Sequence, residues 1–143
     1  MTQMDVGLRH RLRRARRQIA AQHAQLRSLR QALEEALVRR DVEAVRDAVD
    51  QLRTAVKAHF SMETGVFFPA LHGLYPDARR ELEGFVREHE EFVSRMAGLR
   101  QGIVDDSLEL FESAFATLGE SISGHEAREE RLIEAVMKQV DPT

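Results

Sequence analysis

Val45, Val49, Leu52, Val56, His59, Glu63, Val66 and Ala70 recur at alternating steps of four and three along the chain. An α-helix puts positions so spaced on one face, and a face this apolar must be buried against other helices. Two of the eight break the pattern chemically. His59 and Glu63 stand four residues apart, which places an imidazole and a carboxylate one turn apart on the buried side. An ionised carboxylate left unpaired in a protein interior costs several kcal/mol. Glu63 therefore needs a cation, a proton or an exit to solvent.

Three further segments carry the same period. Over residues 5–39, with Asp5 as a candidate N-cap, the stripe runs Leu8, Leu12, Ala15, Ile19, His23, Leu26, Leu33 and Leu37, with Leu29 or Arg30 filling its gap. Asp41 can cap the second helix, and Pro69 is expected to kink or end it near Phe68. Residues 72–77, HGLYPD, read as a connection in which Asp77 caps the next helix. That third helix shows Leu82, Phe85, His89, Phe92, Met96, Leu99 and Ile103, weakened at its end by Gly98 and Gly102. Asp106-Ser107-Leu108-Glu109 resembles a capping box. The fourth stripe follows with Leu108, Phe111, Phe115, Leu118, Ile122, His125, Glu129, Leu132 and Val136. Residues 141–143 should fray. Four amphipathic helices with short links predict an all-α, up-down-up-down antiparallel four-helix bundle, one domain over residues 1–143.

Composition narrows the chemistry. The chain has no Cys, which excludes disulfides, zinc–thiolate sites and iron–sulfur clusters. No run approaches the roughly 18 apolar residues of a membrane span, and no apolar leader is evident, so a cytoplasmic location is expected. Residues 9–17, RHRLRRARR, hold six Arg within a chain of net charge −3. No aromatics interleave with them as a single-strand binder needs, so the run reads as the solvated face of a helix, with neither nucleic acid nor membrane as the expected partner.

The buried polar residues also match in height. His23 lies 17 to 18 residues before the first turn and His59 about 18 after it. Across the second connection His59 and His89 are each about 15 residues away; across the third, His89 is about 15 before and His125 about 20 after. At about 1.5 Å per residue, most of these mismatches amount to one turn or less. Four imidazoles and two acids gathered in one core would be uncompensated without a metal, which satisfies all of them at once. Imidazole and carboxylate without thiolate suit iron, manganese or zinc, and carboxylates on opposite helices can bridge two ions about 3.5–4 Å apart. A ferritin-like Glu-x-x-His scheme fails, because Val56, Val86 and Ile122 occupy the required positions. The H-E-x-x-H metalloprotease motif fails too: HEARE ends in Glu129. His10 and His72 have no stripe partner and are expected at the surface.

The ordered set resembles the hemerythrin family, including its HHE cation-binding branch, over nearly the whole chain. Gln22-His23-Ala24-Gln25-Leu26 is similar to that family's Q-H-x-x-L, and His59-Phe60-Ser61-Met62-Glu63 to its H-F-x-x-E. Val66-Phe67-Phe68-Pro69 resembles the apolar-apolar-Phe-Pro ending of the HHE branch. His89-Glu90-Glu91-Phe92 fits H-x-x-F, and His125 with Glu129-Glu130 fits the last histidine and its acid. The resemblance implies two iron ions, oxo- or hydroxo-bridged. His23 and His59 would bind one and His89 and His125 the other, with Glu63 and one acid of the final pair between them. In that family, oxygen carriers use an acid five residues after the last histidine, here Glu130, and HHE-type relatives one four residues after, here Glu129. Helical phase favours Glu129, since Glu130 lies about 140° round from His125.

One departure bears on function. The family's oxygen carriers have a fifth histidine where this chain has Phe85. One iron would then be a ligand short, with Tyr75 too far along a loop to replace it. Three functions follow as expectations. The first is a di-iron module binding oxygen, nitric oxide or peroxide in a stress response. The second is a di-iron enzyme with peroxidase or catalase-like activity at the open iron. The third is a metal-free helical adaptor.

Overall fold

The computed structural model describes residues 6–103 and 108–140, and these are helical nearly throughout. Helix α1 spans Val6–Val38 and α2 spans Val42–Met62. A π-helical turn, Glu63–Phe67, joins α2 without a break to α3, Phe68–Leu74. A 3₁₀ turn at Pro76–Ala78 leads into α4, Arg79–Gln101, and α5 covers Glu109–Val140. Neighbours in sequence pack on one another, and α5 returns to α1, so the four rods close into a ring. Among the described residues no helix is long and apolar enough to cross a membrane.

Local chemistry explains most boundaries. The tight α1–α2 turn has Arg40 at φ 56°, with Arg40 N–H donating to Leu37 O and Asp41 N–H to Ala36 O, a Schellman closure in which Arg stands where glycine is usual. Asp41 caps α2, accepting from the Ala44 amide at 3.2 Å. Asp77 does not cap α4. It sits within the 3₁₀ turn, and the N-cap is Ala78, with no side-chain bond. The expected cap at Asp5, the capping box at 106–109 apart from Leu108 and Glu109, and the fraying of 141–143 lie outside the described residues.

The rod from α2 to α3 corrects two expectations. Pro69 does not end the helical run, because the preceding turn widens: Phe68 N–H donates five residues back to Glu63 O. A proline has no N–H to donate and its ring crowds the carbonyl four residues earlier, so the wider turn accommodates it. The added residue also rotates everything beyond Glu63. Val66, expected in the core, is 62% exposed, whereas Phe67 and Leu71 are fully buried in its stead, and Ala70 is half-buried. Similarly, the α5 stripe moves from Leu132, half-buried, to buried Ile133, because a 3.6-residue helix drifts against a 3.5-residue repeat.

Two apolar clusters fill the interior. One gathers Leu26, Leu33, Val45, Val49, Leu52, Val56, Phe92, Met96, Phe115, Leu118 and Ile122. The other gathers Leu12, Ile19, Phe67, Leu71, Leu82, Phe85, Ile133 and Val136. Each rod passes from one cluster to the other, and the residues it carries between them are polar. The stripe gap of α1 is bridged by Arg30, which donates to Gly119 O and Ser123 Oγ at 3.3 and 3.0 Å, with its stem 3.8 Å from where a Gly119 Cβ would stand.

If the π turn sets the register, Phe67→Ala should cost about 3–5 kcal/mol, while Val66→Ala should stay within about 0.5 kcal/mol. Urea unfolding of the two variants measures both, and equal losses would contradict this register.

Candidate metal centre

His23, His59, Glu63, His89, His125 and Glu129 are all buried in the layer between the two apolar clusters. Periodicity on each helix puts them there, and the four rods bring them together. His23 and His59 face each other with Nε2 atoms 3.0 Å apart, and His89 and His125 do the same at 3.0 Å. Glu63 Oε1 lies 3.1 Å from His59 Nε2 and 3.4 Å from His89 Nε2. Glu129 reaches both pairs: Oε1 is 3.5 Å from His23 Nε2, and Oε2 is 2.8 Å from His125 Nε2 and 3.2 Å from His89 Nε2. His10 and His72 are exposed. Glu130 is about half exposed and stands outside the cluster, against the far nitrogen of His23.

The outer edges of the rings explain their orientation. His23 Nδ1 donates to Glu130 Oε1 at 2.9 Å and His59 Nδ1 to Gln22 Oε1 at 2.6 Å, while His89 Nδ1 and Thr64 Oγ1 share a hydrogen bond of 3.3 Å. A neutral imidazole that donates through Nδ1 keeps its lone pair on Nε2, whereas a protonated one donates from both nitrogens, so these rings can offer a lone pair to a cation or, when protonated, a hydrogen to Glu129. Gln22, Glu130 and Thr64 were not singled out by periodicity. All three are, however, the immediate neighbours of residues the sequence did mark: His23, Glu129 and Glu63. Two surface grooves run up to these edges, one at Gln22 and His59 between α1 and α2, the other at Thr64 and His89 between the π turn and α4.

Aromatic rings hold the second histidine pair. Phe60 stacks on His89 at 3.9 Å between centroids and only 5° off parallel, and Phe68 covers it at 5.6 Å. Phe85 stands edge-on to His125 at 5.1 Å, and Phe92 likewise at 5.4 Å. The sequence position that lacks a histidine thus holds a fully packed ring beside the second pair.

Charge is balanced unevenly. Burial pushes the Glu63 carboxyl up to about 11, with Glu129 adding to the shift. Burial works against ionised Glu129 as well, but hydrogen bonds from His125, His23 and His89 outweigh it and hold that carboxyl below the usual range. Burial lowers His59 to about 3, assisted by His23, and lowers His89. For His23 burial is outweighed by the bonds to Glu129 and Glu130, and its pKa rises.

The donor set fits metal ions. Both Glu63 oxygens and Glu129 Oε1 are buried without a hydrogen bond, although each such oxygen normally finds a partner. Facing Nε2 atoms at 3.0 Å need a cation or a proton between them. Two groups of ligand atoms lie within 4.8 Å of one another: His23, His59, Glu63 and Glu129, and His89, His125 and Glu129. Glu129 belongs to both.

Compared with known proteins, residues 14–136 match the family model described as the hemerythrin HHE cation-binding domain. No curated protein and no solved structure matches the chain.

The Glu63 shift has a pH consequence. Its folded pKa lies far above the ordinary value of 4.5, so the folded chain keeps a proton that the unfolded chain releases. Stability of the chelator-treated protein should therefore fall as pH rises, by up to about 1.4 kcal/mol per unit between pH 7 and 9. Urea midpoints read the slope, and Glu63→Gln should remove most of it. A slope unchanged in that variant would place the proton elsewhere.

Proposed function

Because the chain belongs to the hemerythrin HHE cation-binding family, we propose that its buried cluster holds two iron ions and binds a small ligand, namely oxygen, nitric oxide or peroxide. The observation that carries this reading is the shared carboxylate: Glu129 is common to both groups of ligand atoms. His23, His59 and Glu63 would complete one iron site, and His89 and His125 the other. Hard oxygen donors with imidazole suit iron in either ferrous or ferric form. An iron pair so held would supply the electrons that small oxidants accept. A role in the response to oxygen, iron or nitrosative and oxidative stress follows from that chemistry.

The protein's own groups would then have distinct tasks. Gln22, Glu130 and Thr64 fix the inward tautomers through their bonds to Nδ1. The two apolar clusters keep bulk water from the layer between them. Phe85 occupies the side of the second group, which has three residues where the first has four. That missing ligand supports the second reading, an enzyme consuming peroxide or nitric oxide at the under-coordinated ion.

We also infer one up-down-up-down domain. The first and third rods run from the Leu12 cluster to the Leu26 cluster and the second and fourth run back, which supports alternating directions.

Protein from iron-supplemented cells should contain about two irons per chain by elemental analysis. Less than one, with full helicity by circular dichroism, would favour a metal-free adaptor. Phe85→His should suppress peroxide turnover if the unfilled ligand position of the second group is where it occurs. Turnover no faster than that of free iron in the unmodified protein would remove the enzymatic reading and leave ligand binding.

A further inference from the structure

Three of the four central imidazoles have a hydrogen-bond partner on Nδ1, and His125 is the exception. Its Nδ1 is buried and unbonded. The nearest carboxylate oxygen is Glu88 Oε2 at 3.6 Å, beyond hydrogen-bond reach. What keeps Glu88 away is visible: Arg128 binds both of its oxygens, Nη1 to Oε1 at 2.9 Å and Nη2 to Oε2 at 2.6 Å. Such a two-pronged guanidinium–carboxylate contact is among the strongest side-chain pairings.

We propose that Glu88 is the positioning residue for metal-bound His125, and that Arg128 competes with His125 for it. The inference rests on the metal reading above and adds a regulator to it. A histidine that gives Nε2 to a metal must carry its hydrogen on Nδ1, and the bound cation makes that N–H a stronger donor. Leaving it buried without an acceptor is costly. Glu88 needs to move by less than 1 Å to accept it, since 3.6 Å exceeds an ordinary N–H···O bond by about 0.6 Å. That movement loosens one prong of the Arg128 contact. Both Glu88 and Arg128 reach solvent, at 26% and 46% side-chain exposure, so the exchange takes place at the protein surface. Among the described residues, the partners of the other three rings are an amide, a hydroxyl and the half-exposed Glu130, and none of them is held by a two-pronged guanidinium contact. Metal retention by the three-residue group is thus coupled to a surface ion pair, whereas the four-residue group is not.

The test is anaerobic titration of the full chain with ferrous iron against a competing chromogenic chelator, resolving the first and second equivalents. Glu88→Gln should weaken the second equivalent by roughly 10- to 100-fold and leave the first unchanged. Arg128→Gln should tighten the second equivalent, because it frees the carboxylate, and no change there would overturn the competition. In the double variant any such gain should vanish, since Arg128 acts through Glu88. Circular dichroism would confirm folding, and both residues lie outside the apolar clusters. Parallel losses in the two single variants would show a merely structural ion pair and overturn the proposal. So would a gain from Arg128→Gln that persists without Glu88, because Arg128 would then be acting on the metal directly. Unmodified protein that takes up no iron would overturn the metal reading itself, a result distinct from two-site binding indifferent to Glu88.

Discussion

The burial of Glu63 is the constraint on which the rest of the molecule depends. A carboxyl group with no solvent contact and no hydrogen bond to either oxygen is a large desolvation cost. Four helices converge so that His59, His89 and the second acid, Glu129, surround that group. Remove the acid and the reason for gathering imidazoles in one layer largely disappears. Keep it, and each neighbouring element must either supply a compensating group or seal the layer. The aromatic rings of Phe60, Phe68 and Phe85 do the sealing, and the histidines do the compensating.

Much of this was legible in the sequence, for a physical reason. A helical period turns stripe residues inward whatever their chemistry, so His23, His59, His89, His125, Glu63 and Glu129 are placed in the core by period alone. Helical phase also separated Glu129, inside, from Glu130, against the outer edge of His23. Where the period fails, so did the reading. The π turn adds one residue between Glu63 and Phe68, and the exposed and buried identities of Val66 and Phe67 are exchanged as a result. Pro69 gave the signal for a disturbance at this point, but a proline can be accommodated by a kink, an end or a widened turn, and composition does not choose among them. Asp77 failed as a cap because Pro76 started a tighter 3₁₀ turn around it.

The outer contacts of the rings were less legible still. Gln22, Thr64, Glu88 and Glu130 lie off the stripes, on faces where polar residues are ordinary. Helical period alone does not distinguish them from Glu90 or Gln25. Their role depends on which way each imidazole is rotated, a property of three-dimensional packing rather than of period. All four nonetheless adjoin stripe residues in sequence, because a side chain next to a buried one on a helix emerges at the rim of the same layer.

The two apolar clusters have a further consequence for traffic. They stopper the bundle at both ends, like a short pipe closed above and below its middle. Exchange with the surroundings must therefore run through the wall, between neighbouring rods, at the level of the rings. Along that route stand Gln22, Thr64, Glu88 and Glu130, whose polar atoms link the interior layer to the rim. Permeability becomes a property of helix seams, and a substitution far along the axis would leave it untouched.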